Sequence, residues 1–171
     1  MIDTAVLISI KPKWVNLILS GKKTVEIRKT IPKLAPPFTC YIYESGTGCV
    51  VGEFVCDKTE WYLNHWGDFH GREDIPEKSC LTIPELLEYA GKLCVAFAWR
   101  ISSVKEYDTP LPVTAFMARC DYNGPCALCK HAELDPVDEC LTCQNIVTTP
   151  PQSWRYVQRR KKDGTNDAGA E

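Results

Sequence analysis

Two pairs of cysteines near the C-terminus, Cys126-x2-Cys129 and Cys140-x2-Cys143, have the spacing at which two tight turns each aim two thiolates at one tetrahedral ion. Zn2+ is the predicted occupant, because a d10 ion accepts four sulfurs without redox chemistry. A closed four-thiolate shell leaves no position for substrate or water, so the metal would be structural. The same pairs would form two disulfides in a secreted domain. Met1-Ile2-Asp3-Thr4 lacks the basic, apolar and small-residue layout of a signal segment, which favours zinc and a cytoplasmic protein. Cys120 and His131 lie close enough in sequence to replace one of the four ligands. Cys40, Cys49, Cys56 and Cys94 stand in apolar runs and read as small buried hydrophobes.

A second grouping is Thr24, Glu26 and Arg28, at i, i+2 and i+4 of a predicted strand, just after a turn bearing Lys22 and Lys23. Period-two alternation puts the three side chains on one face. A carboxylate beside a guanidinium and an ammonium stays ionised and accepts from a base amino group, while the cations hold phosphate. The other reading is an exposed cross-strand ladder, worth under about 1 kcal/mol. Trp154 and Tyr156 share a face by the same spacing, either to stack a base beside Gln152 or to fill core. Trp61 and Trp66 are further candidates for the same two roles.

These side chains need a scaffold. At 171 residues, 44% hydrophobic and 25% charged, the chain suits one globular domain with a small appendage. No apolar run approaches the roughly 20 residues of a membrane span. The net charge of -2 hides an asymmetry: residues 1–33 carry seven cations against Asp3 and Glu26, whereas residues 44–88 carry ten acids against Lys58, Arg72 and Lys78. The basic end either faces phosphates or solvates a surface.

The run Ala5 to Ile10 predicts a buried strand, and Pro12, Trp14, Leu17 and Ile18 before Gly21 predict a helix of about nine residues. Strands are predicted at 24–28, 39–44, 50–56 and 94–104. A capped helix is predicted from Thr82-Ile-Pro-Glu85 to Gly91. The stretch 61–78, with His65 and His70, reads as an ordered loop. Residues 120–145 form the cysteine-rich insert, a strand follows Pro150-Pro151, the body spans 1–157, and 158–171 reads as a disordered polar tail.

Ile8-Ser-Ile-Lys-Pro12, Trp14-Val-x-x-Ile18 and Gly21-Lys-Lys-Thr-Val-Glu-Ile-Arg-Lys29 together resemble the ASCH domain family, which is PUA-like. The resemblance continues through Val51-Gly-Glu53 and the region from Tyr89-Ala-Gly91 to Ala98-Trp-Arg-Ile101. Pro150-Pro-Gln-Ser-Trp154 resembles prophage-type members. The resemblance implies an α+β fold, a mixed PUA-like β-barrel flanked by short helices and carrying the zinc-binding insert. A cleft would be lined by Lys11, Lys23, Thr24, Glu26 and Arg28, with Gln152 and Trp154 nearby.

Family members are regarded as RNA-binding or nucleotide-binding modules, which is the function the resemblance implies. Some resemble amidohydrolases acting on acylated cytidine nucleosides through a Lys, a Thr and a Glu. Here Lys23 matches, but Glu26 stands where that subgroup has its threonine. An enzymatic reading would rest on Lys23, Thr24 and Glu26, with Glu85 as a further carboxylate. A third reading is a protein-interaction adaptor using the zinc insert.

Overall fold

The computed structural model describes residues 4–63, 74–93, 95–119 and 146–160. Cys94, Cys120, Cys126, Cys129, His131, Cys140 and Cys143, together with His65, Trp66, His70 and the tail beyond 160, lie outside them. Strand β1 (Ala5–Ile10) leads through helix α1 (Pro12–Leu19) to β2 (Val25–Arg28), β3 (Phe38–Glu44) and β4 (Cys49–Leu63). Helices α2 (Asp74–Ser79) and α3 (Ile83–Ala90) follow, then β5 (Ala96–Pro112), β6 (Phe116–Ala118) and β7 (Trp154–Arg159).

The strands form one sheet in the order β2-β5-β4-β3-β1-β7-β6, in which only β1 and β3 run parallel. This is a mixed α+β fold. Ladder closure between its end strands β2 and β6 is not among the pairings of the described residues. The sheet nevertheless curls. Arg28 on the end strand β2 reaches across to the Ser9 carbonyl of β1, with Nη2 at 2.7 Å.

Strand periodicity sorts the core onto two faces. Val6, Ile8 and Ile10 of β1 point inward with Cys40, Ile42, Phe54, Phe97 and Trp99. Ala5 and Leu7 point outward against Val113, Phe116 and Val157. On the outer face of β2 and β5, Val25, Ile27, Ala96 and Ala98 lie under Ile75 of α2 and Leu86 and Ala90 of α3. Glu26 and Arg28 alternate with Val25 and Ile27, so they stand on the inner face, directly opposite Trp99 and Phe97.

The sequence placed most of these elements and mismeasured several. Helix α1 ends as expected, with Ser20 at the C-cap and Gly21 next in the left-handed region at φ 73°. Helix α3 carries the expected capping box, Thr82 Oγ1 accepting from the Glu85 N–H and Glu85 from the Thr82 N–H. Strands β4 and β5 run well past their predicted ends, and Trp61 and the end of the expected 61–78 loop lie in β4 and α2. Residues 103–106 and 108–110 of β5 are exposed, so no apolar alternation marked them. The paired β4 and β5 are bent by register shifts. At Gly52 in this stretch, a Cβ would lie 2.5 Å from the Lys105 carbonyl oxygen. Strand β6 was not foreseen, and β7 continues to Arg159, past the predicted end of the body at 157.

Candidate functional site

Between the β2 edge and β1 opens a cavity of about 310 Å³, bounded also by α1 and α3. Lys11, Lys23, Glu26, Arg28 and Gln152, predicted from sequence to share a cleft, all line it. Lys23 points inward because the chain turns at Gly21, after which the Lys23 N–H bonds the Leu17 carbonyl at 2.9 Å. Its Nζ donates to the Ser79 carbonyl at 2.7 Å, lies 3.4 Å from Glu26 Oε2, and sits 5.1 Å from the centre of the Trp14 ring.

Glu26 Oε1 receives Arg28 Nη2 at 3.0 Å. Arg28 Nη2 also reaches Ser9 O, and its Nη1 lies 3.3 Å from Ser153 Oγ. Lys23, Glu26 and Arg28 are only 2%, 7% and 8% exposed. Of the two readings of this strand, the exposed polar ladder fails, because the three side chains form a buried Lys-Glu-Arg cluster. Burial is affordable only because each charge is paired and hydrogen-bonded.

Two expected residues are elsewhere. Thr24 precedes β2, its N–H bonding the Lys78 carbonyl and its carbonyl accepting from the Ile101 N–H. It lines a separate, shallower pocket with Asp57, Lys58, Asp74, Lys78 and Arg100. Trp154 is also outside the cavity lining. It packs with Trp99 and Tyr156 at centroid distances of 6.0 and 5.4 Å, and its Nε1 donates to Thr30 Oγ1 at 3.0 Å. Tyr156 is buried, and its hydroxyl accepts from the Lys33 N–H at 2.6 Å. Tyr156 belongs to the core, and Trp154 is a partly buried residue packed against it. Glu85 is committed to the cap of α3.

The second pocket is a web of ion pairs. Arg100 Nε meets Glu60 at 2.6 Å and its Nη1 meets Asp74 at 3.0 Å, while Lys78 bonds Asp74 at 2.8 Å and Lys58 bonds Glu60 at 3.0 Å. Arg100, with Lys78 second, holds the Asp74 carboxyl well below the usual range. Burial pushes Glu60 up, but hydrogen bonds from Lys58 and Arg100 outweigh it and hold Glu60 below its ordinary value.

Sequence reasoning missed the aromatic members of the cavity. Trp14 was read only as a helix face residue, and Tyr89 likewise; both line the cavity, as do Ser9 and Ser45. Burial pushes the Tyr89 phenol up, and the Arg28 charge offsets part of that. Lys29 Nζ lies 5.4 Å from the Tyr89 ring centre. The available signal was position: Trp14 falls in the first turn after Lys11-Pro12, the segment already assigned to the cleft wall. Among the described residues no group of three or more His, Cys, Asp or Glu is placed to hold a metal, and no helix among them is long and apolar enough to cross a membrane.

No curated protein matches the chain. Among solved structures, ASCH from Zymomonas mobilis is similar at a TM-score of 0.54 and 22% identity, over 64% of this chain and 73% of that one. A tyrosine-to-phenylalanine mutant of that protein aligns at 0.53 and 21%, over 64% and 76% of the two chains. A serine-to-alanine mutant aligns at 0.53 and 22%, over 63% and 73%. At such identity the likeness concerns the fold. The ASCH domain profile matches residues 8–113, more than half of the chain. That span contains α1, β2 and every charged side chain of the cavity, and the chain belongs to the ASCH domain family.

Proposed function

We propose that the cavity between β1 and β2 binds a nucleotide or single-stranded RNA. The observation that carries this is the buried relay of Lys23, Glu26 and Arg28 along a cavity that also holds Lys11, Trp14, Tyr89 and Gln152. Cations for phosphate, a carboxylate acceptor for a base amino group and aromatic rings for stacking are the elements of such recognition. Its volume is at the small end of the roughly 300–1,000 Å³ typical of ligand sites, which suits one nucleotide unit. Membership of the ASCH family, a PUA-like fold often linked to RNA binding, supports the same reading.

The amidohydrolase alternative assigns its hydroxyl to Thr24, which lines the other pocket, while Ser9 and Ser45 are the hydroxyls that line this cavity. The reading includes a structural Zn2+ held by Cys126, Cys129, Cys140 and Cys143. It rests on their spacing and on the closure of the insert's base, where the Val147 N–H bonds the Phe116 carbonyl at 2.9 Å.

The test is a binding screen of the metal-loaded protein against RNA oligomers and nucleotides, with masses followed for turnover. Binding without a mass change, weakened at least tenfold in Arg28→Ala and in Lys11→Ala, is expected. Unchanged affinity in both variants, with the fold verified by circular dichroism, would reject the cavity as the site.

A further inference from the structure

The cavity holds more positive charge than its own carboxylate balances. Its charged lining is Lys11, Lys23 and Arg28 against Glu26. Three cations against one anion leave an excess of two, and Glu26 is already shared between Lys23 and Arg28. Two of these cations are almost fully buried, where uncompensated charge is costly. A bound ligand that brings negative charge removes that cost. A nucleoside brings none and an internal phosphodiester brings one charge, whereas a terminal phosphomonoester carries about -1.5 to -2 at pH 7. An internal phosphodiester would balance the single excess charge of the buried trio Lys23, Glu26 and Arg28, and the phosphomonoester comes closest to balancing the whole lining with exposed Lys11 included.

Two independent features agree. Helix α1 starts at the cavity wall with Lys11 as its N-cap and no acid in its first turn; Pro12 has no N–H and the Trp14 N–H bonds the Lys11 carbonyl at 2.9 Å, so the helix contributes its dipole and not a row of free donors. Its positive end therefore adds to the local field that attracts an anion. Arg28, although its terminal nitrogens are bonded to Ser9 and Ser153, keeps a buried Nε without a partner.

We infer that the cavity takes a phosphomonoester: its ligand is a nucleotide, or an RNA end, bearing a terminal phosphate. This rests on the nucleotide reading given above and narrows it. Lys11 and Arg28 hold the phosphate at the positive end of α1, and Trp14 and Tyr89 flank the base.

The experiment is calorimetric titration of the whole protein at low salt. One set of arms uses the four ribonucleosides, their 5′-monophosphates and inorganic phosphate. The other uses matched RNA oligomers ending in a 5′-phosphate, a 3′-phosphate or hydroxyls only. A phosphorylated ligand binding at least tenfold tighter than its unphosphorylated counterpart is expected, with inorganic phosphate competing. The gain should disappear in Lys11→Gln, an exposed position that spares the core, and shrink in Arg28→Lys. A gain confined to mononucleotides identifies a free nucleotide as the ligand, and one confined to oligomers identifies an RNA end. Equal affinity for phosphorylated and unphosphorylated ligands overturns the phosphate assignment while leaving the nucleotide site in place. Absence of binding in every arm overturns both.

Discussion

Glu26 separates two buried cations, and its neutralisation would leave Lys23 and Arg28 facing an uncharged amide. Breaking a buried charge network from one side costs about 3–5 kcal/mol, so Glu26→Gln should lose roughly that much stability in chemical denaturation. Lys23→Met should lose less, because Glu26 gives up Lys23 but keeps Arg28, and the Ser79 carbonyl is the group left without its side-chain donor. Equal losses would show that charge pairing is not what stabilises this cluster. The sequence spacing correctly put Glu26 and Arg28 together. It could not show that they are buried, because burial comes from the curl that brings β1, distant in the sheet order, against the β2 edge. Thr24 misled for a local reason: its backbone is bracketed by Lys78 and Ile101, outside the regular alternation of β2.

Helix α2 is too short to be stable alone, and it is clamped at both ends. Asp74 at its start is gripped by Arg100 and Lys78, while Ser79 at its end receives Lys23 from the cavity. The folded-state value of Asp74 is depressed, so its contribution is present above the ordinary carboxylate value of about 3.9 and fades as pH falls below it. Asp74→Asn should therefore lower the melting temperature at pH 6, with the gap to the unmodified protein narrowing toward pH 3. A gap independent of pH would mean that the carboxylate charge is not responsible. Helix α3 was legible from Thr82 and Glu85 because a capping box is a local code. Helix α2 was not: its stop, Cys80 at φ 56°, and its clamps come from tertiary contacts.

At the scale of the molecule, the thiols report on both the core and the proposed zinc site. Burial pushes the Cys40 thiol well up and Cys56 up to about 12, which leaves almost no thiolate at neutral pH. Alkylation at pH 8 followed by mass spectrometry should spare these two and label the partly exposed Cys49 and Cys80. Chelation should release one zinc per chain and add Cys126, Cys129, Cys140 and Cys143 to the labelled set. A labelling pattern unchanged by chelator, with no metal released, would remove the zinc proposal.

The family and the charged cavity wall were legible because the contiguous opening motif carries both, and the mixed sheet followed from the family resemblance. The aromatic wall was not, because Tyr89 enters from α3 across the fold.

The chain leaves β6 near Arg119 and returns at Ile146, where Met117 bridges Ile146 and β7 then pairs with β6. The two ends of residues 120–145 are thus held together by the body itself. Loop-closure entropy rises slowly with chain length, by about 0.6 kcal/mol per doubling, so a segment whose ends are already joined can change length cheaply. This position is a graft point, where a lineage can lengthen, shorten or exchange an appendage at little thermodynamic cost while the cavity between β1 and β2 stays as it is.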